Sequence, residues 1–349
     1  MSLLFSWQEI KSRGRALTYD DVLLMPQKSD VRSRRDPDLS TPLTKKIMIQ
    51  KPFISANMDT ITEWEMALSM DRLGCFGIIH RFMTVDEQCH QVSQLKQKGA
   101  KHIGASVGVN AEGQERAEAL VGAGANIITI DIAHGHSVAM MDTLKWIKDR
   151  FPQVAVIAGN VASPQGCSDL IEAGADAIKV GIGPGSMCTT RVITGCGVPQ
   201  LTAIALCAEV TRAHSVPLIA DGGIKTSGDV VKALSAGAQS VMLGSILAGT
   251  IETPGEITGG RKRYRGMASR EAQNIWRGGV PEGMAPEGES TLVPIKGPID
   301  TVIHELAGGL RSGMSYINAK KVSEMSEKAL FLEMTSMGHM ESLAHGLRS

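Results

Sequence analysis

Ala177-Ile-Lys-Val-Gly-Ile-Gly-Pro-Gly-Ser-Met-Cys-Thr-Thr-Arg191 joins a short apolar run to a glycine-rich turn that carries a cysteine. The run 177–180 is too short for a helix and is bounded by glycine, so it reads as a buried strand. Glycines permit positive φ and close backbone approach, so the turn behind it folds tightly around an anion or a cation. Cys188 stands beside the hydroxyls of Thr189 and Thr190 and the guanidinium of Arg191. A thiol among positive charge and backbone N–H groups is drawn toward the reactive thiolate. A free cysteine is equally among the residue types most often buried and inert. At this point both readings of Cys188 stand.

Working outward, the same kind of run recurs at 53–56, 76–80, 103–107, 127–131, 154–158, 218–221 and 241–244, giving eight in all. Near-continuous apolar runs mark strands buried on both faces of a parallel sheet. Amphipathic stretches lie between them at 86–98, 112–123, 137–149, 164–173 and 226–236, several ending on glycine as helix C-termini do. The runs start 23–27 residues apart, apart from one interval of about 40 after the sixth. This repeat predicts an α/β fold, a (β/α)8 TIM barrel with an N-terminal extension and a long lid after strand eight. A doubly wound open sheet is the alternative that the same runs allow.

Composition agrees with one large barrel domain over 1–349. Lys+Arg and Asp+Glu balance at 36 each, which argues against a nucleic-acid or anionic-membrane partner. With 4% aromatic residues and 38 glycines, the core is expected to be aliphatic. The six cysteines (75, 89, 167, 188, 196 and 207) form no C-x-x-C pair and read as reduced thiols of a cytoplasmic protein. No apolar run reaches the roughly 18 residues of a membrane span.

A barrel places function at the C-terminal ends of its strands. Asp221-Gly-Gly223 follows strand seven and Gly244-Ser245 follows strand eight, the positions where such barrels bind phosphate. Asn57-Met-Asp59, His80-Arg81, Asp131 and Asn160 stand at other strand ends. Asp131 fits an orienting carboxylate or a helix N-cap equally. His134 and His136 are two residues apart on a loop, a poor spacing for a metal. Residues 252–298 show little periodicity and read as an irregular lid, with a helix over 300–310 closing the barrel.

The segments Leu17-Thr-Tyr-Asp-Asp-Val-Leu-Leu24, Ala56-Asn-Met-Asp59, Gly159-Asn160, the Cys188 loop, Asp221-Gly-Gly223, Gly244-Ser245, Tyr264-Arg-Gly-Met267 and Gly308-Gly-Leu-Arg-Ser312 resemble, in order, the IMP dehydrogenase / GMP reductase family. The resemblance implies a (β/α)8 barrel, commonly a homotetramer, acting on a purine nucleoside monophosphate (GMP or IMP) with a nicotinamide cofactor. Dehydrogenases of the family usually insert a pair of CBS modules between strands two and three. Only residues 82–102 separate those strands here, so no CBS module is expected. They also carry an Arg-Tyr pair in the lid, where neither Arg270 nor Arg277 precedes a tyrosine. Trp276-Arg-Gly-Gly-Val280 looks like the shorter reductase lid, and Glu287, seven residues before Pro294, matches the reductase's catalytic glutamate.

The resemblance therefore implies a GMP reductase using NADPH, with Cys188 as nucleophile and Thr190 and Glu287 as its proton relay. Three departures are set against it. Gly283-Met284 replaces a reductase Tyr-Arg, Arg81 replaces a lysine, and His134-Gly-His136 with Gly195-Cys-Gly-Val-Pro-Gln200 looks more like a dehydrogenase. A dehydrogenase without CBS modules is the alternative, with a nucleotide-binding member lacking turnover and an FMN-dependent barrel oxidoreductase more distant. By the resemblance, the nucleotide meets Met58, Asn160, Lys179, Ser186, Asp221, Gly222, Gly223, Gly244, Ser245, Tyr264, Gly266, Met267, Ala268 and Gly288. The cofactor meets Arg81, Asp131, Ile132, Ala133, Ser312, Gly313, Met314 and Ser315, with Ser33 and Arg34 reaching in from a neighbouring subunit. The carbonyls of Gly183, Gly185 and Cys188 are the expected potassium ligands.

Overall fold

The computed structural model describes residues 3–342. Eight parallel strands close into a barrel in sequence order: β1 (Phe53–Ser55), β2 (Phe76–Ile79), β3 (Gly104–Val107), β4 (Ile127–Asp131), β5 (Ala155–Val161), β6 (Ala177–Val180), β7 (Leu218–Asp221) and β8 (Ser240–Leu243). Val241 of β8 registers with Phe53 of β1, which shuts the ring. All eight predicted runs are strands, and the open sheet is excluded. Phe76–Ile79, Gly104–Val107 and Ala177–Val180 are buried at every position, which is why they lack a polar alternation.

Eight helices alternate with the strands: α1 (Trp64–Arg72), α2 (Val85–Gln97), α3 (Asn110–Ala123), α4 (Val138–Arg150), α5 (Pro164–Glu172), α6 (Gln200–Ala213), α7 (Ser227–Ser235) and α8 (Ile299–Tyr316). Their starts are written in the sequence. Thr84 and Thr226 form capping boxes with Glu87 and Asp229, and Ser163 caps α5 ahead of Pro164. α8 runs six residues beyond its expected end, through Gly308 and Gly309. A Cβ on Gly309 would stand 2.1 Å from Ser227 Oγ, so glycine lets α8 lie directly against the start of α7.

The N-terminal extension packs on its own barrel. Leu4–Phe5 and Val22–Leu24 pair antiparallel on either side of Phe331–Glu333, so both chain ends share one small sheet. Leu17 bonds Thr202 of α6, and the buried Tyr19 ring lies against Gly223. The expected tail over 333–349 is seen only to residue 342, including the helix Ser336–Glu341, and 343–349 lie outside the described residues. None of the described helices is long and apolar enough to cross a membrane.

The lid is more ordered than its sequence suggests. Arg261–Arg265 and Ser290–Pro294 form an antiparallel hairpin, and a helix, Arg270–Arg277, lies between them. Lys262 and Tyr264 are buried while Arg261 and Arg263 are exposed, a period-two pattern hidden by its basic residues. The Lys262 ammonium survives burial by donating to the carbonyls of Thr250, Ile251 and Thr253. Ser269 caps the lid helix and Gly278, in the left-handed region, ends it.

Candidate active site

One buried ammonium ties three strand ends together. Lys179 of β6 lies 2.7 Å from Asp131 at the end of β4 and 2.6 Å from Asp221 at the end of β7. It also donates to Asn160 Oδ1. Asn160 Nδ2 in turn donates to Asp221 over 2.9 Å, and Asn57 Nδ2 donates to Asp131 over 2.8 Å. Burial alone would favour the neutral amine, but the two carboxylates override it and push the Lys179 pKa above the ordinary lysine range. Burial likewise works to raise Asp131, and the Lys179 charge overrides it, leaving the carboxyl below its usual range. Lys179 thus fixes two carboxylates at the barrel mouth, a positioning task beyond the substrate contact expected of it.

Two joined cavities open over this mouth. The larger, about 470 Å³, is bounded by Arg81, Phe82, Asp131, Ile132, Asn160 and the lid helix. The smaller, about 240 Å³, is bounded by Ser186, Gly222-Gly223, Gly244-Ser245 and Tyr264. Cys188, Thr190 and Glu287 line both, together with Met58, Ala133, Asp221, Met267 and Ala268. The thiol therefore stands where two bound molecules would meet.

At that junction the Cys188 thiol lies 3.2 Å from Thr190 Oγ1, which donates to Glu287 Oε2 over 2.8 Å. Main-chain bonds hold the line in place. Thr189 N–H donates to the Glu287 carbonyl, Glu289 N–H to Met187 and Glu287 N–H to Ala268. A Cβ on Gly266 or Gly288 would come within about 3 Å of the Met187 carbonyl, so these glycines allow the lid backbone to lie flush against the cysteine loop. Gly266 lines the smaller cavity and Gly288 lines neither. Arg191, Cys188's near neighbour, donates to the carbonyls of Ile182 and Val198 and ties the two ends of that loop.

The smaller cavity suits an anion bound by neutral donors. Gly222 and Gly223 both have positive φ, and a Cβ on Gly222 would stand 2.7 Å from the Pro184 ring. Ser186 Oγ and Tyr264 Oη lie 3.0 Å apart, and burial raises the Tyr264 pKa, keeping the hydroxyl protonated as a donor. A Cβ on Gly244 would approach Tyr264 Oη to 3.2 Å, so glycine keeps this wall open. Of the expected metal ligands, the Gly185 carbonyl already accepts the Cys188 N–H over 3.0 Å, leaving it a second lone pair.

The expected cofactor residues separate into two groups. Arg81, Asp131, Ile132 and Ala133 share the larger cavity. Ser312 and Gly313 instead border a separate groove with Leu24, Pro26 and Tyr316, Met314 is fully buried in α8, and Ser315 bonds back to the Ser312 carbonyl. Arg34 lies over the Tyr316 ring at that groove, next to Ser33. Within one chain these six residues do not reach the larger cavity. His136 pairs with Asp169 at 2.7 Å and lines neither cavity. Sequence reasoning missed the lid-helix face Gln273, Trp276 and Arg277, whose i, i+3, i+4 spacing puts all three on the larger cavity.

Comparison with known proteins follows the same geometry. A family model described as IMP dehydrogenase / GMP reductase domain matches residues 16–345. The inosine-5'-monophosphate dehydrogenase of Cryptosporidium parvum is 42% identical, across 96% of each chain. The GMP reductase of Leishmania major is 33% identical, across 95% of this chain and 97% of its own. A crystal structure of a cysteine-to-alanine variant of GMP reductase from Trypanosoma brucei, in complex with guanosine 5'-monophosphate, superposes with a TM-score of 0.89 at 33% identity, covering 97% of this chain and 99% of that one. The chain belongs to the IMP dehydrogenase / GMP reductase family.

Proposed function

We propose that this protein is an oxidoreductase of purine nucleotides, a GMP reductase that converts GMP to IMP and ammonia. The observation that carries the reading is the Cys188–Thr190–Glu287 line, a nucleophile joined to a lid carboxylate through one hydroxyl. Nucleotide phosphate sits in the smaller cavity against Ser186, Gly222-Gly223, Gly244-Ser245 and Tyr264, and Asp221 takes the ribose hydroxyls. Met58, Asn160, Met267 and Ala268 frame base and sugar, which sets purine carbon 2 beside Cys188.

Cys188 Sγ adds to that carbon as a thiolate, its electron pair forming the carbon–sulfur bond as the carbon–nitrogen π pair moves onto the ring nitrogen. The exocyclic amine must gain a proton to leave, and Glu287 supplies it through Thr190 Oγ1. Ammonia departs and the base stays bound to sulfur as a thioimidate. The nicotinamide cofactor, when bound in the larger cavity, supplies the hydride that replaces the sulfur bond. Thiolate leaves, IMP is released, and Cys188 is regenerated. Overall, GMP, reduced cofactor and a proton give IMP, oxidised cofactor and ammonia.

The reading takes NADPH as cofactor, held by Arg81, Asp131, Ile132 and Ala133, with Ser33, Arg34 and the Ser312, Gly313, Met314 and Ser315 stretch serving a neighbouring subunit of a homotetramer. Backbone carbonyls of Gly183, Gly185 and Cys188 suit a large monovalent cation such as potassium in kind. A cytoplasmic setting keeps the thiol reduced.

One observation favours a second reading, an IMP dehydrogenase without CBS modules: the 42% identity to the Cryptosporidium parvum dehydrogenase. There the same thioimidate would form from IMP once carbon 2 gives its hydride to NAD, and water would then displace the sulfur to release XMP. Nicotinamide absorbance, followed with GMP plus NADPH and separately with IMP plus NAD, distinguishes the two.

A further inference from the structure

The larger cavity has three basic side chains in its wall, Arg81, Lys179 and Arg277. Lys179 is spent on Asp131 and Asp221. Neither guanidinium has a carboxylate partner among the described residues, and Arg81 Nε is buried without any hydrogen-bond acceptor. Arg81 is stacked over Phe82 at 4.9 Å, with its guanidinium beside Gly108. Burial depresses the Arg81 pKa, Asp131 partly restores it, and the nearby Arg277 charge depresses it further. Two guanidiniums facing one cavity with no counter-ion repel each other, and the buried Nε of Arg81 has no acceptor. An anion between them removes both costs.

The anion is not the nucleotide's phosphate, because neither arginine lines the smaller cavity, which has no basic side chain in its wall. It belongs to the molecule that approaches Cys188 from the other side. Arg277 is the last residue of the lid helix, whose neighbour Trp276 donates to Asp59 over 2.8 Å, so its place depends on the lid being docked.

We propose that Arg277 closes onto a phosphate of the dinucleotide cofactor opposite Arg81. This rests on the reading of the larger cavity as a dinucleotide site. Arg277 is then a cofactor-binding residue that makes lid closure and cofactor binding favour each other.

Calorimetric titration of GMP-bound Cys188→Ala protein, in which the two molecules cannot react, with NADPH and with NADH tests it, comparing this parent with the same chain carrying Arg277→Ala or Arg277→Lys. Arg277→Ala should weaken NADPH about tenfold, the loss of one charge-assisted hydrogen bond, with Arg277→Lys in between. GMP affinity and melting temperature should not move. An equal loss for NADH assigns the diphosphate bridge, and a loss confined to NADPH assigns the ribose 2′-phosphate. Unchanged NADPH affinity in Arg277→Ala overturns the clamp alone. An equal fall in GMP affinity also overturns it, because the lid rather than the contact was lost. A Cys188→Ala parent that binds neither dinucleotide overturns the clamp and the reading beneath it.

Discussion

Thr190 Oγ1 donates to Glu287 Oε2 over 2.8 Å although 97 residues separate them in the chain. The hydroxyl comes from the cysteine loop after β6 and the carboxylate from the returning arm of the lid, so the contact exists only when the lid is docked. Glu287→Gln keeps the shape and removes the proton. Deamination of GMP should then fall by about 10²–10⁴-fold. Hydride exchange between labelled reduced cofactor and IMP, which needs Cys188 and no ammonia, should survive. Cys188→Ala should abolish both reactions while GMP still binds, measured by isotope exchange and equilibrium titration.

Lys179→Met should cost about 3 kcal/mol at neutral pH, the low end for a broken buried pair, because Asp131 and Asp221 would remain as part-buried carboxylates without their shared cation. The folded Asp131 pKa is depressed, through Lys179 overriding burial. Its contribution to stability is therefore present above the unfolded value of roughly 4 and is lost as pH falls through the folded value. Urea denaturation at pH 7 and in mild acid should show wild type and variant converging as the pH drops. A gap that stays constant would mean the ammonium is not paired as described.

The lid anchor is separable from the chemistry. Asp59 accepts from Arg265 Nε over 3.0 Å and from Trp276 Nε1 over 2.8 Å. Asp59→Asn should loosen the lid helix and lower turnover, and should raise proteolytic cleavage near Gly278 and Gly279 while the barrel keeps its melting temperature. Saturating GMP and oxidised cofactor, which do not react together, should restore protection, since both bind beneath the lid.

Gly309→Ala would place a methyl within 2.1 Å of Ser227 Oγ. The expected loss is about 1–3 kcal/mol of stability from overpacking between α7 and α8. Ser227→Gly in the same chain should recover most of it, checked by paired denaturation curves.

The sequence made the barrel legible because parallel strands buried on both faces have no polar alternation, so Ile127–Asp131 or Ala177–Val180 stand out as apolar runs. Strand-end residues such as Cys188, Asp221 and Gly244 were legible for the same reason, since a barrel assigns its C-terminal ends to function. The lid was not. Its strand Arg261–Arg265 buries a lysine through three carbonyls supplied by residues 250–253, a tertiary arrangement that periodicity cannot show. The inward face of the lid helix was hidden too, because the cavity that Arg277 lines exists only with the lid docked, Trp276 bonded to Asp59 among its anchors. Ser312 and its neighbours sit in α8, away from the larger cavity, so their cofactor role depends on a second chain.

The most direct measurement is ammonia released per cofactor oxidised when the purified protein is given GMP and NADPH. The account predicts one ammonia for each NADPH consumed, with IMP as the nucleotide product. NADH formation from IMP and NAD, with no ammonia from GMP, would contradict it.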